Sequence, residues 1–418
     1  MLQQTYSNHK ETINNFLWRS LQIFGKQGVT FIIFILSAKL LTPYEFGIYN
    51  YVLAIIFFLI MFGDFGISTA TSKYVAEYNV TNKEKLKSIL FNSGIIILGL
   101  TIIITIITLI FGELYLQDKY IYVLYLLPLV FLAPMTSLYD GIYRGLKKFK
   151  QLAIMSLVIG ILSLSFVYIL IKQYGLIGAL ISQSLFYILL LIGLALGYKE
   201  FHFRLNKEVM REVGYYSFAF GIATVGYYLF SRVAILILGH YSYINEIATY
   251  ELLNKIFLIL LVFPTILGNV VSTNFTEFFA KGEYKKVLSK FKTYILISLL
   301  ATIVFGILSY FLMPIIIKLF FIEYYNSILS TILVPVILIY AIQIYCATIN
   351  SGIIVATGYA KVMSYLNGFL GISNIILSLI LLNYLGYVGV IYSVLILNII
   401  GVFILHWIYY TQIKKLIR

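Results

Sequence analysis

From Val362 to Ile413 the chain runs for 52 residues without an aspartate, glutamate, lysine or arginine. A second such run, Tyr324 to Ala360, holds 37. A stretch of ~20 apolar residues crosses the ~30 Å of hydrocarbon in a bilayer. The longer run is therefore two crossings in succession, and "NYLGYVG" supplies the break between them. The rest of the chain matches: of 418 residues 61% are hydrophobic and 11% charged, with a mean hydropathy of +0.97. A soluble domain is nearer about half apolar and about a quarter charged. The fold class predicted is an all-α, polytopic membrane protein.

Twelve helical spans are expected, roughly at 14–40, 46–71, 89–111, 120–143, 151–171, 174–198, 213–239, 246–271, 292–317, 326–350, 361–383 and 386–410. The loops between them alternate in charge. Of 30 lysines and arginines, 22 fall on one side, in "SKYVAEYNVTNKEKLK", "RGLKKFK", "YKEFHFRLNKEVMR" and "KGEYKKVLSKFK", at Lys361 and near both chain ends. The opposite loops hold only Lys39, Lys119, Lys172 and Lys318. By the positive-inside rule both termini lie in the cytoplasm and the number of spans is even. The same distribution accounts for the net charge of +14 without nucleic acid as a partner. The N-terminal sequence lacks the pattern of a cleavable signal peptide, so the first span is expected to stay as an anchor.

Chemistry at a catalytic centre is not expected. One cysteine, Cys346, cannot form an internal disulfide, and four scattered histidines make no metal-ligand cluster. There is no phosphate-binding Gly-rich loop for ATP, and the longest loops are too short to hold an enzyme domain. No cofactor, no metal and no enzymatic activity are expected.

The chain also repeats itself. "PYEFGIYNYV" (43–52) aligns with "INEIATYELL" (244–253) at an offset of 201, and Gly175 and Gly178 align with Gly386 and Gly389 at 211. Two six-helix halves follow, 1–198 and 199–418. Six is an even number, so the second copy lies parallel to the first. Transporters built from parallel halves place the substrate site between them.

Four cations remain, and all lie inside predicted spans: Arg19, Lys26, Arg232 and Lys255. A charge at mid-bilayer costs ~3 kcal/mol or more, so each must face protein, water or a partner. On the first helix Asn15, Arg19, Gln22, Lys26 and Thr30 are spaced to share one face. That polar stripe is expected to face a wet interior. Arg19 has snorkelling to the headgroups as its alternative, and Lys26 has a structural pairing with Asp64. Asp64 itself reads as an ion-pair partner beside Gly63 and Gly66, or as a coupling carboxylate. Glu251 and Lys255, four residues apart, are placed for an intrahelical pair, structural or gating.

The segment "AKLLTPYEFGIYNYVLAIIFFLIMFGDFGISTATSKYVAEY" (38–78) resembles the first-hairpin region of the polysaccharide flippase family, the Wzx-type O-antigen and exopolysaccharide translocases of the multidrug/oligosaccharidyl-lipid/polysaccharide superfamily. The "LTPYEFGIY" turn, the "DFGIS" segment and a basic inner loop carry the likeness, as does "YDGIYRGLKKFK". The resemblance implies a MATE-like bundle of two six-helix lobes around a central cavity in the cytoplasmic membrane. It implies an isoprenoid-pyrophosphate-linked oligosaccharide as substrate, flipped to the outer leaflet for surface polysaccharide biosynthesis. Glycosyltransferases and a glycan polymerase of the same pathway, and membrane lipids, are the partners it implies. Arg19, Lys26, Arg232 and Lys255 would line the path, with Asp64 or Glu251 available for ion coupling. The competing reading is a MATE-like multidrug/cation antiporter. Such a protein prefers an acidic, aromatic cavity, whereas here four basic residues stand against two acidic ones at depth.

Overall fold

The fold is described from a computed structural model. It covers the backbone at residues 2–199, 201–261, 275, 278, 281–349 and 360–417, and the side chains of these except 2–16, 24, 26, 284, 288, 348–349, 360–364 and 412–417. Among the described residues every regular element is a helix. They are α1 (Leu2–Leu40), α2 (Pro43–Asp64), α3 (Ile67–Thr81), α4 (Lys83–Leu116), α5 (Tyr120–Leu126), α6 (Leu129–Gly145) and α7 (Phe149–Gly197). After them come α8 (Lys207–His240), α9 (Ile244–Leu260), α10 (Tyr284–Phe320), α11 (Ser327–Ile349), α12 (Ala360–Leu385) and α13 (Tyr387–Ile417). Nine described segments are long and apolar enough to cross a membrane. The chain divides into two compact units, Met1–Val225 and Gly226–Arg418, so the boundary falls within α8.

The local sequence explains where helices begin and turn. Thr42 and Glu45 form a reciprocal capping box ahead of Pro43, which starts α2. Asn82 accepts from the amides of Glu84 and Lys85 and starts α4. α7 is 49 residues long. At ~1.5 Å per residue that is more than twice the hydrocarbon thickness. It turns back on itself at Gly175, where φ is +54°. A Cβ on Gly178 would sit 1.9 Å from the Leu170 carbonyl oxygen, so the turn closes only on glycine. The same device recurs 211 residues later between α12 and α13. Gly386 has φ +61°, and a Cβ on Gly389 would sit 2.2 Å from the Leu381 oxygen. The starts of α2 and α9, and of α4 and α10, each differ by 201 residues.

In the first unit α6 is the central helix, packed against α2, α3, α4 and α7. Gly141 and Gly145, four apart, bring α6 onto α3. A Cβ at either would lie within 2.6 Å of the Ser68 or Ser72 carbonyl oxygen. Small residues at this spacing are how helices approach closely without a hydrophobic driving force. Around this contact Ile67, Val75, Tyr78, Leu86, Leu138, Ile142, Leu190 and Val213 make one buried cluster. Tyr143 fastens α6 to α7 by donating to the Leu194 carbonyl at 3.0 Å.

The basic segments of this unit meet at one end. The end of α6 packs on Ser72 and Val75. The His202 amide donates to the Lys87 carbonyl at 2.8 Å. Lys85 pairs with Glu208 and Glu212 at 2.8 and 3.3 Å. The segment from Phe201 to Asn206 is pinned here by Asn92, which is fully buried. Its amide nitrogen donates to the Ser88 and Arg204 carbonyls at 2.8 and 3.0 Å, and its oxygen accepts from the Asn206 amide at 2.8 Å. Asn206 then caps α8 through the Glu208 and Val209 amides. An Asn92→Ala variant is expected to lose about 1–3 kcal/mol and to release this segment. Limited trypsin digestion will then cut after Arg204 faster than in the wild type; equal cutting rates would mean that Asn92 holds nothing.

In the second unit α12 packs on α13, and α11 packs on α9, α10 and α13. Here the basic segment opening α10 and the far end of α13 share a cluster, with Phe291 stacked on Tyr409 at 3.7 Å. Asn374, Ser378 and Ser393 are fully buried and bonded to one another, which satisfies each in an apolar surround. Long apolar faces of α4 and α10 stay exposed, as at Ile110 and Phe311. In a membrane protein these are the surfaces that lipid covers.

Candidate functional site

Two clusters of charge sit on the apolar helices, one in each unit. In the first, the Gly141–Gly145 contact with α3 fixes the register of α6. That leaves Asp140 and Arg144, again four apart, on a neighbouring face. Arg144 forms an ion pair with Asp140, its Nε 2.7 Å from Oδ2. From α1, Gln22 donates its amide to Asp140 Oδ1 at 3.0 Å and accepts from Arg19 Nη1 through its own oxygen. Arg19 Nη1 lies 3.7 Å from Asp140 Oδ1. One carboxylate thus stands between two guanidiniums. Gln22 is buried, while the Arg19, Asp140 and Arg144 side chains are 31%, 24% and 30% exposed. Trp18 precedes Arg19 on α1, and its ring centroid is 5.5 Å from Lys150 Nζ.

In the second unit the turn at Tyr241–Tyr243 folds α9 back along α8. Arg232 and Glu251 stand about equally far from that turn, so they meet. Arg232 Nη1 donates to both carboxylate oxygens, at 2.9 and 3.0 Å. Asn254 donates to Glu251 Oε1 at 2.8 Å and is itself held by the Tyr340 hydroxyl from α11, which donates to its carbonyl and side-chain oxygens at 3.1 and 3.2 Å. Lys255, one helical turn beyond Glu251, lies within electrostatic reach of both Glu251 and Arg232. Glu251 is almost wholly enclosed at 3% exposure, and Arg232 is 27% exposed.

The expected site residues are therefore distributed as follows. Arg232, Glu251 and Lys255 come together. Glu251 takes its charged hydrogen bonds from Arg232, across the helix pair, in addition to its intrahelical neighbour. Arg19 joins a separate cluster with Gln22. On the expected stripe Gln22 is buried and Thr30 exposed. Lys26 lies on α1, with its side chain outside the described residues. Asp64 ends α2 at a break where Phe65 and Gly66 have φ +37° and +80°. Its carboxylate accepts from the Ser68 amide at 3.0 Å and the Ser68 hydroxyl at 2.8 Å, so it restarts the chain as α3. Arg144 lies within electrostatic reach of it.

Sequence reasoning passed over Asp140, Asn254 and Tyr340, and counted Arg144 with the basic loop. Equal distance from a tight turn would have flagged Arg232 with Glu251. Nothing in the spacing of residues 22 and 140 could have paired Gln22 with Asp140. Both clusters end alike, with two cations against one acid. Neither resembles a metal site, and no group of three or more metal-ligating side chains occurs among the described residues.

Residues 12–272 match the family described as "Polysaccharide biosynthesis protein". No curated protein matches the sequence. Among solved structures, an inward-facing multidrug resistance MATE family transporter of the MOP superfamily is similar, with 14% identity, a TM-score of 0.79, and 95% of this chain and 98% of that chain covered. So is the lipid II flippase MurJ in an inward closed conformation, at 19% identity, a TM-score of 0.74, and 96% and 89% coverage. A MOP superfamily transporter from Pyrococcus furiosus is similar at 14% identity, a TM-score of 0.62, and 98% and 96% coverage. At these identities the likeness is one of fold, and the chain has the MOP-superfamily fold.

Proposed function

The chain belongs to the polysaccharide biosynthesis protein family, and from that premise we propose that it is a flippase carrying an isoprenoid-pyrophosphate-linked oligosaccharide from the cytoplasmic to the outer leaflet. On this reading twelve crossings form two six-helix lobes, about 1–198 and 199–418, in the cytoplasmic membrane, with both termini in the cytoplasm. The basic loops face inward. Glycosyltransferases of the same pathway supply the cargo and a polymerase receives it.

The observation that supports this most is the balance of charge in the two clusters. Arg19 and Arg144 hold one acid, and Arg232 and Lys255 hold another. Counting these side chains, each cluster keeps one positive charge in surplus on helices where every charge is costly, with Asp64, bonded to Ser68, also within electrostatic reach of Arg144. A diphosphate leaving water needs such charges along its route, while its lipid tail stays in the bilayer. Lys26 adds a further cation on α1. A cation antiporter would need the reverse balance. The enclosed carboxylate of Glu251 reads here as a resident counter-ion to Arg232.

The test is surface glycan in cells that depend on this protein. Lys26→Ala combined with Arg232→Gln and Glu251→Gln removes cations without stranding a buried carboxylate. Glycan is expected to fall at least about tenfold, which is ~1.4 kcal/mol of lost stabilisation along the path, with the protein inserted at wild-type levels. Normal glycan, together with loss of drug or ion efflux, would favour the antiporter instead.

A further inference from the structure

We infer that Arg19, Asp140 and Arg144 form a docking site for the diphosphate of a polyprenyl carrier, in which Asp140 is a resident anion that the diphosphate displaces. This rests on the reading above, which makes the basic end of the first unit the loading side.

The site is built. Gln22 is 4% exposed, and both ends of its amide are used, one toward Arg19 and one toward Asp140. Behind it, α6 is clamped to α3 by Gly141 and Gly145. The carboxylate is shared: Oδ1 faces Gln22 and Arg19, Oδ2 faces Arg144. Two guanidiniums present about ten N–H donors, and one carboxylate offers about four acceptor positions. Donors are left over, on side chains that a ligand can reach. Lys147, Lys148 and Lys150 follow at once in sequence, and Asp64, bonded to Ser68, is a second acid within electrostatic reach of Arg144.

The chemistry of the occupant follows from charge and shape. Planar guanidinium forks match phosphate oxygens in pairs, and two of them suit two linked phosphates. A phosphodiester lipid carries one negative charge, no more than the carboxylate it would replace. A diphosphate carries two or more, so exchange for Asp140 is favourable. Once the headgroup moves on, Asp140 closes back on both arginines, which keeps the vacated site from holding its cargo too tightly. Gln22 acts as a positioning residue.

Trp18 is a natural reporter, because the chain has two tryptophans and the other, Trp407, is on α13. The full-length Trp407→Phe protein is placed in phosphatidylcholine nanodiscs and titrated with farnesyl diphosphate, inorganic pyrophosphate or phosphatidylglycerol, following Trp18 fluorescence. Farnesyl diphosphate is expected to saturate the signal. Its half-saturation concentration should rise about tenfold or more in Arg144→Gln and fall several-fold in Asp140→Asn, the direction set by one unit of charge in each case. Arg144→Lys keeps the charge and loses the fork, and should also bind several-fold more weakly. It decides the matter if Asp140→Asn does not fold. Equal half-saturation in the wild type and Arg144→Lys would overturn the inference. So would phosphatidylglycerol matching farnesyl diphosphate, which would mean a general anionic-lipid contact, or pyrophosphate binding as tightly, which would mean a free-phosphate site. The two ideas fail separately. Normal glycan in a deletion strain sinks the flippase reading and leaves the binding result standing. Lost glycan with unchanged binding in these variants sinks the dock alone.

Discussion

An Arg232→Leu variant is expected to lose about 3–5 kcal/mol of unfolding free energy, because it strips the enclosed Glu251 carboxylate of the guanidinium that pairs with both its oxygens. Glu251 is 3% exposed, so water cannot take the place of the guanidinium. Asn254 remains as one hydrogen-bond donor and Lys255 as a cation within electrostatic reach, but neither replaces the two charged hydrogen bonds that Arg232 made. The double variant Arg232→Leu/Glu251→Leu should recover most of the loss, since replacing a buried pair with packed apolar side chains is close to neutral. The measurement is the midpoint of denaturant unfolding in a mild detergent for the single, the double and the wild-type proteins. A double variant as unstable as the single would show that the pair contributes packing and that its electrostatics are unimportant. Glycan assays on the same proteins separate stability from transport. The double variant should be folded, yet defective in flipping if Arg232 serves the cargo.

A Gly178→Val variant should yield almost no folded protein. The added Cβ would lie 1.9 Å from the Leu170 oxygen and 3.0 Å from the Ile171 nitrogen, which are backbone atoms that no side-chain rotation can move. Since Gly175 holds the turn at positive φ, the two arms of α7 cannot open to make room without losing the hairpin. A cost beyond about 4–5 kcal/mol is exceptional for a single substitution, and clashes with backbone are among its few causes. Size-exclusion chromatography of the detergent-solubilised protein would show aggregate in place of a single peak. Gly389→Val should behave alike, because the same contact recurs at the Leu381 oxygen. Gly99→Ala is the control. Nothing lies within 4 Å of its Cβ position, and it should fold as well as the wild type. A monodisperse Gly178→Val protein would mean that the α7 hairpin has room the structure denies it.

Much was legible in the sequence because lipid is an unforgiving solvent. Backbone amides and carbonyls in hydrocarbon must bond to each other, so long apolar runs such as 362–413 can only be helices. The helix starts follow from residues as local as Thr42, Glu45 and Asn82. The Gly175/Gly178 and Gly386/Gly389 match already signalled a repeated turn. Asp64 was visible too, although its work is local: by accepting from Ser68 it caps α3 across the break at Phe65 and Gly66.

The partners of the charged side chains belong to a different kind of information. Glu251 and Lys255 have the spacing of an intrahelical pair, and the sequence by itself determined only that they share a face. That Glu251 also binds Arg232 was decided by the turn after His240, which lays α8 along α9 at matching depth. Gln22 reaches Asp140 across 118 residues only because small glycines let α6 settle deep against α3, which leaves its polar edge turned to α1. Hydrophobicity is a property of each residue and adds up along a chain, so composition and period report it directly. An ion pair falls off within a few ångströms, and helix packing alone sets which charges come that close.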